Sequence, residues 1–258
     1  DGYILVRDIF DRRDIDRMEQ AFDDLIARRL KLVESLDVTW KGEWKDQYPE
    51  QTQVMLCEDL QAFSADWSRM LLDERFGAAA ADLIGPNVQL HHTKMFSKPP
   101  QGGSGFPMHQ DYPYFPHEKH SMLAAIIHLT EAPEETGCVR IVAGSHKLGP
   151  IKHPDSGPYY LDPEEYPIDK ALACPAERGD VLFFSYLTIH GSKPNRSDQV
   201  RKTVLVQLRD PTDRPTVDTH RSHGQGLMLR GIDPLESSGE PNVAYKNLPP
   251  TATPTEPR

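Results

Sequence analysis

Two segments place metal-competent side chains where the surrounding chain is apolar or aromatic. In FPMHQDYPYFP, residues 106 to 116, His109 and Asp111 stand two apart, so an extended backbone would turn imidazole and carboxylate to one face. In LFFSYLTIHGSKPN a strongly apolar run delivers His190 beside a glycine. Two imidazoles and one carboxylate on one face of an octahedron form the donor set of non-haem Fe(II) oxygenases, with positions left open for a co-substrate and O2. Arg201 follows His190 by eleven residues, beyond a turn at PNRSDQ, so its strand runs back beside the histidine. Its planar guanidinium suits a carboxylate held bidentately, and Ser192 offers a hydroxyl to the same group.

The donor set alone admits other chemistry. Zinc on the same three ligands would serve a hydrolase, although Arg201 has no evident purpose there. A jelly-roll binding module without turnover is a second alternative, against which the completeness of His109, Asp111, His190 and Arg201 speaks. His91, His117, His120, His128, His146 and His153 compete in principle as ligands, but none follows an apolar strand with a suitably placed arginine. They are read as hydrogen-bonding or turn residues. Tyr112 and Tyr114 directly follow the metal pair and are candidates to line a substrate pocket. Arg140 is a candidate substrate counter-ion or an exposed strand residue, and Trp40 and Trp44 either cover the cavity or cap the core.

The elements that must hold these residues are legible as two regimes. From Asp11 to Val33 apolar residues recur at helical spacing behind a capping aspartate, and a second helical stretch runs from Ser64 to a stop at Gly85 and Pro86. After residue 87, VQLHHTKMF, SMLAAIIHL, CVRIV, DVLFFS and TVLVQLR are short, β-branched and separated by Gly/Pro punctuation. Helices followed by strands, without alternation, predict a mainly β fold with flanking helices: a sandwich or jelly-roll barrel. We read residues 1–258 as a single domain, with a helical N-terminal part over 1–86, a core over 87–210 and a C-terminal extension over 211–258. The proline-rich insert 149–178 is read as a functional cover or a disordered segment. The tail from Ser237 is expected to be loosely ordered.

Composition narrows the partners. A formal net charge of −10, with basic residues scattered, disfavours nucleic acid and anionic lipid and favours a small-molecule substrate, neutral or cationic, or simply serves solubility. No run approaches a membrane span. Three widely spaced cysteines form neither a disulfide framework nor a CxxC site, which fits a reduced, cytoplasmic setting.

The motifs KPP, HQD, GCVRIVAGSHK, GDVLFF and HGSKPN…R, in this order over residues 88 to 210, with GY at the start, resemble the phytanoyl-CoA dioxygenase family of Fe(II)/2-oxoglutarate oxygenases. The resemblance implies a double-stranded β-helix core, His109, Asp111 and His190 as iron ligands, and Arg201 with Ser192 on 2-oxoglutarate, with O2 as the third participant. It adds Lys94, on the strand before KPP, as a further co-substrate contact. Where members often carry a tryptophan, this chain has Ile126. Related halogenases replace the carboxylate ligand by a small residue; the presence of Asp111 therefore disfavours halogenation and leaves hydroxylation, the expected reaction, with desaturation or cyclisation as alternatives.

Overall fold

The computed structural model describes residues 1–31, 55–101, 103–153 and 159–235. Trp40, Trp44 and the tail from Ser237 lie outside the described residues.

Helix α1 (Arg12–Arg29) starts where the sequence suggests. The Asp11 carboxylate accepts from the Asp14 N–H at 2.8 Å while the Asp14 carboxylate accepts from the Asp11 N–H at 3.4 Å, pairing two amides that a helix start leaves open. The stretch from Ser64, expected as one helix, is two: after a short α2 (Leu60–Phe63), α3 (Ala65–Leu71) ends and α4 (Glu74–Ile84) begins anew. Asp73 sits in the break, accepting from the Arg75 N–H at 2.9 Å, because an aspartate competes better as a cap than as an interior residue.

Two antiparallel sheets face each other and form the expected jelly-roll core. The larger contains β1 (Tyr3–Val6), β8 (Val181–Ser185), β5 (Leu123–His128), β10 (Arg201–Arg209), β3 (Val88–Lys98) and β11 (Met228–Arg230) in that spatial order, with β2 (Met55–Glu58) also on β3. The smaller runs β4 (Phe106–His109), β9 (His190–Ser192), β6 (Val139–Ile141) and β7 (Leu172–Cys174). β1 and β2 lie inside the part read as helical, and four residues apiece are too few to display an alternation.

Alternation along the large sheet divides its side chains between two cores. Met95, Ala125, Ile127, Phe183, Val204 and Val206 meet Ile15, Phe22, Trp67 and Phe76 of the helices. Ala124, Ile126, Leu182, Phe184 and Leu205 face inward to Val139 and Ile141 of the small sheet. One irregularity matters for the interior: Gln207 pairs with His92 but Leu208 pairs with Leu90, so His91 is an extra residue. Such a bulge turns two consecutive side chains to one face, and both imidazoles point inward with their Nδ1 atoms 2.7 Å apart.

The insert 149–178 is largely scaffold where it is described. It supplies β7 to the small sheet, and Leu161, Ile168 and Ala171 pack on Met108 and Ile189 beside the metal pair. Among the described residues, no helix is long and apolar enough to cross a membrane.

Candidate metal centre

His109 and His190 are cross-strand partners on β4 and β9, which sets their rings side by side with centroids 4.3 Å apart. Asp111 reaches them differently from the sequence expectation. β4 ends at His109, and Asp111 begins the turn after it, held by its N–H donating to the Tyr186 carbonyl at 3.0 Å. The turn, rather than strand alternation, brings its Oδ1 to 3.7 Å from His109 Nε2 and 3.8 Å from His190 Nε2. Among the described residues this is the one His/Cys/Asp/Glu group whose donor atoms, all within 4.8 Å of one another, could hold a metal ion.

The surroundings prepare these atoms for a cation. His109 Nδ1 lies 2.8 Å from the Pro107 carbonyl and His190 Nδ1 lies 3.0 Å from the Thr188 carbonyl. A carbonyl only accepts, so each Nδ1 carries a proton and each Nε2 is the ring atom turned to the metal position. Burial lowers the His190 pKa to about 4, keeping it neutral. Burial works against the Asp111 carboxylate, yet His190 and His109 outweigh it and hold its pKa down at about 2. Gln207 Nε2 donates to Asp111 Oδ2 at 2.6 Å, which leaves Oδ1 for the metal. Two imidazole Nε2 atoms and one oxygen of a carboxylate fit Fe(II) and leave half of an octahedron free.

At the other end of the interior Arg201 and Lys98 are cross-strand partners, 4% and 0% exposed. Lys98 Nζ donates to Ser192 Oγ at 2.7 Å and to the Lys193 carbonyl at 2.9 Å; Arg201 donates to the Gly137 carbonyl, and its Nε is buried without a partner. Among the described residues no carboxylate pairs with either cation. Burial depresses both, Arg201 to about 10 and Lys98 well below its ordinary value. Two desolvated cations without an anion are costly, and a carboxylate docking between them relieves that cost.

Lys94, expected on the co-substrate, does not join this pair: it stands four residues from Lys98 on the same strand face, about 13 Å along β3. Tyr114 stays near the centre, its ring 6.4 Å from that of His109, whereas Tyr112 turns to His120 and Tyr186. Arg140, the candidate substrate counter-ion, projects from the opposite face of β6 to Ile141, donating to the Ala171 carbonyl at 2.8 Å and to Glu134 at 2.5 Å. Ile126 packs in the interior with Phe184 and Leu205.

Sequence reasoning missed Lys98 and Gln207. Lys98 stood in the KPP motif, and Gln207 is the polar residue of TVLVQLR, six positions from Arg201 and therefore on its face.

Residues 1–203 match the family model described as phytanoyl-CoA dioxygenase. A probable phytanoyl-CoA dioxygenase of Caenorhabditis elegans is 29% identical over 223 residues, 79% of this chain and 70% of the relative. The peroxisomal phytanoyl-CoA dioxygenase of Bos taurus is 28% identical over 225 residues, 81% of this chain and 65% of the relative. The chain thus spans about two thirds of the length of these relatives. The crystal structure of the non-heme alpha ketoglutarate dependent carbocyclase SnoK from nogalamycin biosynthesis superposes with a TM-score of 0.69 at 22% identity, covering 90% of each chain.

Proposed function

Because this chain belongs to the phytanoyl-CoA dioxygenase family, we propose that it is an Fe(II)- and 2-oxoglutarate-dependent oxygenase that hydroxylates a C–H bond of a small molecule. The observation that carries this reading is the pairing of a three-donor metal centre with a buried, anion-free Arg201–Lys98 pair in one interior. A zinc hydrolase would have no use for the second feature.

His109, Asp111 and His190 are the residues that would hold the iron. When bound, iron with 2-oxoglutarate and O2 supplies the oxidation that replaces C–H by C–OH, releasing succinate and CO2. Arg201 and Lys98 hold the distal carboxylate of 2-oxoglutarate, with the Ser192 hydroxyl beside them. Gln207 fixes the Asp111 carboxylate so that it ligates through one oxygen. Phe184, whose ring centroid is 4.5 Å from that of His190, and Ile126 wall the centre with apolar surface and exclude water from it.

Anaerobic titration of the Fe(II) protein with 2-oxoglutarate, followed by its visible charge-transfer band, tests this. One equivalent per chain is expected. Arg201→Ala should weaken binding roughly a hundred-fold, since breaking a buried ion pair costs about 3 kcal/mol. Absence of the band with stoichiometric iron bound would defeat the reading.

A further inference from the structure

Lys98, rather than Lys94, opposes Arg201, and the surroundings of Lys94 suit a different role. It lies on the inward face of β3, opposite Leu205 of β10, whereas its neighbour Met95 faces the helices. The bulge at His91 and the loop after β10 gather imidazoles around it. The His92 and His220 rings lie 4.3 Å apart, and those of His91 and His220 lie 5.9 Å apart. Lys94 opposes Leu205, the inward neighbour of Gln207, and Gln207 bonds Asp111 at 2.6 Å, so Lys94 stands on the strand face that leads to the metal centre. The three histidines are held neutral, first of all by burial, and His92 Nε2 is buried there without a partner.

The carboxylate that Lys94 meets is loosely engaged. Glu58 Oε1 stands 3.3 Å from Lys94 Nζ, and the Glu58 side chain is 53% exposed while that of Lys94 is 18% exposed. An ion pair with one partner mostly in water contributes little and yields readily to an anion bound deeper. Arg209, the next cation along the interior, is already occupied, donating to Gln89 at 2.8 Å and to the Asp213 carbonyl at 2.9 Å.

We propose that Lys94, flanked by His92 and His220, is the substrate anchor of this oxygenase, binding a compact anionic group such as a carboxylate or phosphonate and presenting the adjacent C–H bonds to the metal centre. The proposal rests on the 2-oxoglutarate reading above. It assigns the substrate to small acids, with one cation beside the metal centre for one acidic group.

The test uses the full chain, loaded anaerobically with Fe(II) and saturating 2-oxoglutarate. Methylphosphonate and propionate are titrated against their neutral counterparts, dimethyl methylphosphonate and propionamide, by calorimetry and by perturbation of the charge-transfer band. Wild type is expected to bind at least one anion with a dissociation constant of about 10 mM or tighter and neither neutral compound measurably. Lys94→Met should weaken the anion about ten-fold or more while 2-oxoglutarate affinity and melting temperature stay put, and Lys94→Arg should restore most of the loss. Anion binding undiminished in Lys94→Met, equal binding of acid and neutral forms, or no binding of either anion to wild type would each overturn the anchor. So would a loss of 2-oxoglutarate affinity in Lys94→Met, which would return this residue to the co-substrate. Lys98→Met serves separately: if it and Arg201→Ala keep full 2-oxoglutarate affinity, the co-substrate reading fails, whatever Lys94 does.

Discussion

Gln207 shows how much a single amide can decide. Its Nε2 must be the atom facing Asp111, since a carboxylate cannot donate, and the 2.6 Å bond holds the carboxylate with Oδ1 turned to the two histidines. Gln207→Leu removes that hold inside a fully buried site and is expected to weaken Mn(II) or Fe(II) binding about ten-fold, the range seen when a partner of a metal ligand is lost. Calorimetric metal titration checks it; Gln207→Glu, which sets a second anion against Asp111, should alter the charge-transfer spectrum as well. Unchanged affinity and spectrum in both variants would leave Gln207 as packing. At this scale the sequence was most informative about residue type. His109, Asp111, His190 and Arg201 could be picked out by residue type together with their order along the chain. Lys98 and Gln207 were harder: each looks like an ordinary polar residue until the strand that opposes it is known.

The strands explain why a glycine follows His190. A Cβ on Gly191 would lie 2.7 Å from the Phe106 carbonyl oxygen and 2.8 Å from Met108 Sδ, so only glycine lets β9 lie this close to β4. Gly191→Ala is expected to push the two strands apart and separate His109 from His190, with metal affinity falling further than stability does. Loss of thermal stability with intact metal affinity would contradict this. Gly137 also shapes the interior through its backbone, since at φ 73° it turns the chain so that its carbonyl accepts from Arg201. Longer elements were readable from periodicity, as α1 was from its capping aspartate. The bulge at His91, the break at Asp73 and the short β1 and β2 were not, since each depends on what packs or pairs opposite rather than on local pattern.

Across the molecule, the jelly roll turns one sheet face to the helices and the other to an interior where an apolar cluster stands beside histidines kept neutral. His128 is an instance clear of the metal centre: 1% exposed, with Nδ1 3.1 Å from the Asp180 carbonyl, and its pKa lowered to about 4 by burial first and then by Arg201. A histidine depressed in the fold takes its proton only on unfolding. Its contribution is therefore complete above the unfolded value of 6.5 and is lost as pH falls from there towards 4. At pH 5 the loss amounts to roughly 2 kcal/mol. Urea denaturation at pH 7 and pH 5 should show a smaller drop for His128→Gln than for wild type, and equal drops would refute the assignment.

An iron site and a 2-oxoglutarate pocket in one interior make the protein a source of succinate. The most direct measurement is succinate formed from 2-oxoglutarate when anaerobically reconstituted Fe(II) protein meets O2, run beside Asp111→Ala and Arg201→Ala. Small acids are added in turn. Succinate in the wild type alone, stimulated by an added acid, is the expected result; an iron-loaded wild type that releases no more succinate than either variant would contradict it.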